Sequence, residues 1–255
     1  MTSFRSSPLI SIITVVYNDQ SKLEKTILSV LQQQKDLFEY WIIDGGSTDG
    51  TVDVIKRYND QLAGWISESD GGIYEAMNKG INMSKGEWVY FLGSNDVLEP
   101  NILSRLSSYL SHDIMVVYGD VYIGDKKSQY PSAFSLRTIL QNTVHHQGAF
   151  YNRKLFQTFR YDTKLRILSD YELNIYVYIK KMPYKRFPFA VASCSEGGVS
   201  GEIPLSIFET NIIRSRYIKA TSINWILSKV LRLYYAQKQL RAFLLKRRTT
   251  VKKAY

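Results

Sequence analysis

Leu9-Ile-Ser-Ile-Ile-Thr-Val-Val16, followed by Tyr17-Asn18-Asp19, is the stretch on which the fold turns. It is apolar and β-branched on both alternating faces, as a parallel strand covered by helices on each side must be. Asn18, Asp19 and Ser21 bring capping chemistry, and residues 22–34 then repeat Leu23, Ile27, Val30 and Leu31 at helical spacing. The unit recurs. Phe38-Glu-Tyr-Trp-Ile-Ile43 is a second strand that runs into the glycine-rich turn Asp44-Gly-Gly-Ser-Thr-Asp-Gly-Thr51, and residues 52–58 read as a second helix. Residues 62–67 make a third short strand, Asp70-Gly71-Gly72 a turn, and 73–83 a helix. A fourth strand, 88–92, ends at Gly93-Ser94-Asn95-Asp96. Four strand–helix alternations predict an α/β domain with a mostly parallel central sheet flanked by helices. Such sheets bind ligands beyond the carboxyl ends of their strands, where Asp44 and Asp96 both fall.

Beyond Pro100 the rhythm is mixed. Residues 115–123 are strand-like, 134–141 helical, 171–179 a helix with an apolar stripe, and 191–193 a short last strand before Gly197-Gly198-Val199-Ser200-Gly201. Farther on, Ile223, Ile226, Leu227, Val230, Leu231, Tyr234, Leu240, Phe243 and Leu244 follow an i, i+3, i+4 rhythm. Lys229, Arg232, Lys238, Arg241 and Lys246 lie largely on other faces, and Trp225 stands near the start. Residues 223–245 therefore predict a basic amphipathic helix suited to a membrane interface. The competing readings are a helix packed on the catalytic body, or an apolar face shared with a second copy in a homodimer. The expected division is a catalytic domain over 1–205 and a basic helical C-terminal extension over 206–255.

The charge distribution supports that division. After Glu209 come twelve Lys and Arg and no Asp or Glu, whereas the residues up to 209 hold 21 basic against 23 acidic side chains. The whole net charge of +10 thus belongs to the C-terminal fifth. A near-neutral body with a basic tail points to tethering, and no nucleic-acid-binding module accompanies the charge. The lone Cys194 excludes an intrachain disulfide, and with only three histidines it argues against a zinc site. No apolar run reaches bilayer length. The stretch after Arg5 has the look of a short signal peptide but lacks a small-residue cleavage site, so it reads as a buried strand.

Hard divalent cations take oxygen ligands, often one or two carboxylates completed by substrate phosphates. A carboxylate at a strand end beside glycine suits that work, and Asp96 is the candidate; the alternative is a helix cap.

Four stretches, in order, carry a resemblance: Ser11-Ile-Ile-Thr-Val-Val-Tyr-Asn18, Trp41-Ile-Ile-Asp-Gly-Gly-Ser-Thr-Asp-Gly-Thr51, Gly72-Ile-Tyr-Glu-Ala-Met-Asn-Lys-Gly-Ile81 and Gly86-Glu-Trp-Val-Tyr-Phe-Leu-Gly-Ser-Asn-Asp96. A weaker match continues through His145-His146-Gln147, Ser169-Asp170-Tyr171-Glu172 and Gly197-Gly198-Val199-Ser200. Together they resemble the family 2 glycosyltransferases, inverting enzymes with the GT-A (Rossmann-like) fold.

The resemblance implies roles residue by residue. Thr14, Val16 and Tyr17 would line the nucleotide pocket. Asp44 would face the base or ribose of a uridine-type donor, with Gly45 standing where the family usually has a second acid. Asp70 and Asn95 would lie beside the nucleotide. Asp96 would hold Mn²⁺ or Mg²⁺, with Asn95 replacing one of the family's paired acids. Asp170 would be the base that deprotonates the acceptor hydroxyl, with Glu172 as its alternative, and His146 would touch acceptor or phosphate. The implied activity is transfer of a hexose or N-acetylhexosamine from a nucleoside-diphosphate sugar, UDP above all, to a lipid-linked or oligosaccharide acceptor. The expected setting is cell-surface polysaccharide or lipopolysaccharide synthesis at the cytoplasmic face of the cell membrane. A processive polymerase would need membrane spans and a Gln-x-x-Arg-Trp motif, and a nucleotidyltransferase a glycine-rich N-terminal signature; the chain has none of these. The departures at Gly45 and Asn95 leave a non-catalytic nucleotide-sugar-binding or membrane-scaffold protein as the alternative.

Overall fold

The computed structural model describes residues 8–125, 127–195 and 202–252, with side chains as far as residue 240. The elements are β1 (Ile10–Val16), α1 (Gln20–Leu31), β2 (Phe38–Asp44), α2 (Thr51–Arg57), β3 (Gly64–Ser67), α3 (Ile73–Met83), β4 (Trp88–Gly93), β5 (Val97–Leu98) and α4 (Ile102–Ser107). They continue with β6 (Val116–Ile123), β7 (Ser128–Tyr130), α5 (Arg137–Leu140), β8 (Ala149–Asn152), α6 (Ser169–Ile179), β9 (Tyr184–Cys194), α7 (Ile203–Tyr217) and α8 (Thr221–Lys252).

The strands form one mixed sheet in the order β3-β2-β1-β4-β8-β6-β9-β5, with β7 on β6. The first four pair in parallel, and the register sets Val16 beside Asp44 and Val15 beside Gly93. β8 then runs antiparallel to both β4 and β6. Alternation along β1 divides the core. Ile10 and Ile12 face α1 and α2 through Leu23, Ile27, Val30 and Ile55, while Ile13 faces α3 through Met77 and Ile81. Each fully buried aliphatic side chain contributes about 1.5–3 kcal/mol, so a one-residue slip of β1 would forfeit both faces together. The predicted α/β class with its central sheet and flanking helices is the observed one.

Two departures have plain causes. β9 is far longer than residues 191–193, because its first half is largely exposed and carries Lys185, Arg186 and Pro188 instead of an apolar run. Its ladder with β6 shifts register between Tyr118 and Asp120, opposite Pro188, where the missing N–H costs no hydrogen bond. Gly119 permits that shift, since a Cβ there would lie 2.5 Å from the Phe189 carbonyl oxygen. The helix expected over 134–141 shortens to α5.

In the C-terminal part, the expected boundary at 205/206 falls inside α7, and α7 packs on the catalytic body. Ile213 joins Leu165, Leu168, Tyr171 and Ile175 in a small core of its own. The stripe expected on α8 divides. Leu231 is buried and Leu227 and Tyr234 are half-buried, whereas Ile223, Trp225, Ile226, Val230, Leu233 and Leu240 stay exposed. Ser228 donates to Asn211 and ties α8 to α7. The side chains of Phe243, Leu244 and the basic residues beyond, like the Gly197–Ser200 motif, lie outside the described residues. No helix among those described is long and apolar enough to cross a membrane.

Candidate active site

A cavity of about 450 Å³ opens at the carboxyl ends of the parallel strands. Its walls are residues 15–17 after β1, Gly45 after β2, Ser69, Asp70 and Gly72 after β3, and Ile73 and Ala76 of α3. A second cleft of similar size, about 480 Å³, lies among Ile139, Tyr178, Met182 and Tyr184. It holds no carboxylate, so chemistry and not size selects the first.

The predicted residues distribute unequally over this cavity. Val16, Tyr17, Gly45 and Asp70 line it together, and Tyr17 is 65% exposed there. Thr14 does not: it is fully buried and shares a 2.9 Å hydrogen bond with the Tyr40 hydroxyl inside the sheet. Asp44 is a second correction. It is 0% exposed, and its Oδ2 accepts from Gly46 N (3.1 Å), Ser47 N (2.9 Å) and Ser67 Oγ (2.6 Å), while Oδ1 accepts from Ser47 Oγ. A carboxylate so buried and engaged shapes the turn and does not line the cavity. Gly46, at φ +82°, lets the chain fold back over it.

On the other side of β1, Gly93-Ser94-Asn95 delivers Asp96. Asn95 adopts φ +74°, a left-handed conformation that asparagine tolerates, and its contribution here is to the backbone. A Cβ at Gly93 would stand 2.7 Å from Asp96 Oδ2. Asp96 is 6% exposed, with Oδ2 accepting from Gln147 Nε2 (2.9 Å) and Oδ1 from Ser195 N (3.0 Å). Both donors are neutral. Asp96 has no ion pair among the described residues, and burial pushes its carboxyl up to about 6.

Asp170 lies in the first turn of α6, one residue past the helix start at Ser169, so it is not the N-cap. Its Oδ1 accepts from Tyr74 Oη (3.1 Å) and its Oδ2 from Asn142 Nδ2 (3.0 Å). Burial raises its pKa, as a proton acceptor requires. Tyr74 belongs to α3, so the helix that walls the cavity also holds Asp170.

Glu172 and His146 do not join it. Residues two apart on a helix point to different sides, and Glu172 accepts from Arg216 Nη1 at 2.7 and 2.6 Å. It is a strut between α6 and α7. The ring nitrogens of His146 are inaccessible and unpartnered, and the ring stacks on Phe91 at 5.2 Å. Burial depresses its pKa to about 4, so it carries no charge for a phosphate near neutrality.

Four site residues escaped the sequence reading: Gln147, Ser195, Tyr74 and Asn142. Gln147 is the neighbour of the histidine pair that drew attention, but the turn at residues 146–148 aims the amide, not the imidazole, at Asp96. The other three had no signal, because each is defined by a contact across 25 or more residues.

The profile described as Glycosyl transferase family 2 matches residues 11–182, well over half of the chain. The chain belongs to family 2 of the glycosyltransferases. It is 33% identical over 208 residues to a PGL/p-HBAD biosynthesis glycosyltransferase found in Mycobacterium bovis and Mycobacterium tuberculosis, covering 78% of this chain and 81% of that one. Among solved structures it is similar to S. aureus TarS residues 1–349 in complex with UDP (TM-score 0.66, 18% identity, 82% of this chain and 64% of that one). It is also similar to the mannosyltransferase PcManGT from Pyrobaculum calidifontis in complex with GDP-Man and Mn²⁺ (TM-score 0.59, 15% identity, 83% and 62%). The glycosyltransferase thus spans less than two thirds of the length of these solved neighbours, which share its GT-A fold.

The donor set of this family 2 glycosyltransferase admits a divalent cation in one way. No three potential ligands cluster among the described residues. A cation held by the buried Asp96 would therefore draw its remaining ligands from substrate oxygens.

Proposed function

We propose that this glycosyltransferase moves a hexose or N-acetylhexosamine from a nucleoside-diphosphate sugar to a lipid-linked saccharide acceptor in cell-surface glycan assembly. The observation that carries the donor half is Asp96: a buried carboxylate held by neutral donors after β4, the parallel neighbour of the β1 strand whose end lines the cavity. A Mn²⁺ or Mg²⁺ bound there would supply neutralisation of the charge that develops on the leaving diphosphate. Gln147 and the Ser195 amide fix the carboxylate's orientation, and Asn95 sets the turn that presents it. Asp170 accepts the proton of the attacking acceptor hydroxyl; Tyr74 and Asn142 each hold one of its oxygens, leaving further lone pairs for that proton.

Support for a lipid-linked acceptor comes from the mycobacterial relative's role in PGL biosynthesis and from α8. Its exposed Trp225, Ile226 and Leu233 lie among Lys229, Arg232 and Lys238, a combination suited to peripheral attachment on an anionic leaflet. A homodimer through the same apolar residues is the competing use. The uridine preference rested on Asp44, which is turned inward, so the geometry supports a nucleoside diphosphate without selecting that base.

Calorimetric titration of UDP and GDP into the protein, with Mn²⁺ and then with chelator, tests the donor site. Binding that needs both the metal and Asp96, and is lost in Asp96→Ala, is the expected result. Failure of every nucleoside diphosphate to bind would sink the proposal.

A further inference from the structure

Which base the donor carries is written in the far end of the cavity, and this step rests on the nucleoside-diphosphate reading above. In the order β3-β2-β1-β4, Asp96 follows β4 and Asp70 follows β3. Three strand spacings of ~4.8 Å separate those strands, roughly 14 Å, the span of an extended nucleoside diphosphate. With the diphosphate at Asp96, the base lies over the ends of β2 and β3, next to Asp70.

Asp70 is the one charged side chain among the described residues that line the cavity. Its Oδ1 accepts from Gly72 N (2.9 Å), and it enters no ion pair among the described residues. Its Oδ2 faces Gly45, where a Cβ would stand only 3.1 Å away. The absence of a side chain at 45 therefore admits the Asp70 carboxylate and leaves its edge open to the cavity. Asp44, the other acid at this end, is fully buried and bonded into the turn.

An ionised carboxylate only accepts hydrogen bonds. Uracil and thymine offer it one ring N–H between two carbonyl oxygens, which it repels. Adenine and cytosine offer an amino group beside an unprotonated ring nitrogen. Guanine alone presents a ring N–H adjacent to an amino group, two parallel donors that match two carboxylate oxygens. We infer that this glycosyltransferase takes a guanosine-diphosphate sugar, with Asp70 as the residue that reads the guanine edge in the space left by Gly45. Tyr17, exposed on the same cavity, supplies a ring on which the base can stack.

The test is a calorimetric series on the whole chain with Mn²⁺, using GDP, IDP, UDP, CDP and ADP. GDP is expected to bind on the order of 10- to 100-fold more tightly than UDP, the discrimination a bidentate base contact provides. IDP keeps the ring N–H but lacks the amino group, and loses most of that advantage. Asp70→Asn can both donate and accept, so it narrows or reverses the GDP:UDP ratio without unfolding this partly exposed turn. Gly45→Ala, which crowds the carboxylate, weakens GDP more than UDP. Wild-type protein that binds UDP as tightly as GDP overturns the inference and leaves the donor site standing. So does an Asp70→Asn variant that weakens every nucleotide equally, since that pattern marks a ribose contact. If no nucleoside diphosphate binds, the donor reading falls and this one with it.

Discussion

The strand ends and the α6–α7 seam both bury carboxylates, and they treat them in opposite ways. At the seam Glu209 and Glu172 are each held by more than one hydrogen bond. Glu209, 2% exposed, accepts from three successive backbone amides, Arg166 N (2.6 Å), Ile167 N (3.1 Å) and Leu168 N (2.9 Å), immediately before α6 begins. Glu172 pairs with Arg216, which also reaches Asp162. After β4, Asp96 accepts from Gln147 and the Ser195 amide, and in the first turn of α6 Asp170 accepts from the Tyr74 phenol and the Asn142 amide; neither enters an ion pair among the described residues. Pairing a buried acid with arginine in one region, as at Glu172, and leaving others to uncharged donors supports a ligand site at the second.

Four variants would break or sharpen that contrast. Asp170→Asn is expected to lower turnover about 10³-fold with nucleoside-diphosphate affinity unchanged, read by transfer assay beside calorimetry; unchanged turnover would remove Asp170 from the chemistry. Glu209→Ala leaves the buried Ile167 and Leu168 amides and the part-buried Arg166 amide without this acceptor and should cost about 3 kcal/mol in urea unfolding, with donor affinity kept.

Asp96→Asn should do the reverse, abolishing metal-dependent binding without loss of stability. The sign follows from the raised carboxyl. Its pKa of about 6 in the folded protein exceeds the ordinary 3.8, so its contribution to stability is full below pH ~4 and lost as pH rises through about 6. That decline, of about 3 kcal/mol, should vanish in Asp96→Asn when unfolding is followed across this range without metal. A slope that persists would mean the carboxyl is not the bare group described. The smallest effect is expected at α8. Lys229→Ala with Arg232→Ala should reduce sedimentation with anionic vesicles several-fold, at about 1 kcal/mol per cation, and leave neutral vesicles unaffected. Retained vesicle binding, or a salt-insensitive dimer in its place, would favour the self-association reading.

β1 and β4 were legible because both of their faces are buried, so each appears as an apolar run stopped by turn residues that include aspartate. β9 was not, since its exposed half places Lys185, Arg186 and Pro188 where a run would have to be. α7 escaped for a related reason: it packs through Glu209, Thr210, Ile213 and Arg214, and three of these four are polar. Of the residues proposed for the site, Asp96 and Asp170 stand out in the sequence by position and motif. Asp44 could not be judged from its motif, because a strand-end aspartate that binds a ligand and one that ties its own turn have the same spelling. The difference lies in Ser47 and Ser67, the second of them 23 residues away.

The Glu209 contact also sets an order of events during synthesis. The cavity, Asp70 and Asp96 are all encoded before residue 100, yet the three amides that open the Asp170 helix wait for a carboxylate about forty residues downstream. A nascent chain therefore lays down the cavity walls first, while Asp96 waits for Gln147 and the Ser195 amide and the Asp170 helix waits for Glu209. Until Glu209 has left the ribosome, the amides that open the Asp170 helix lack their acceptor.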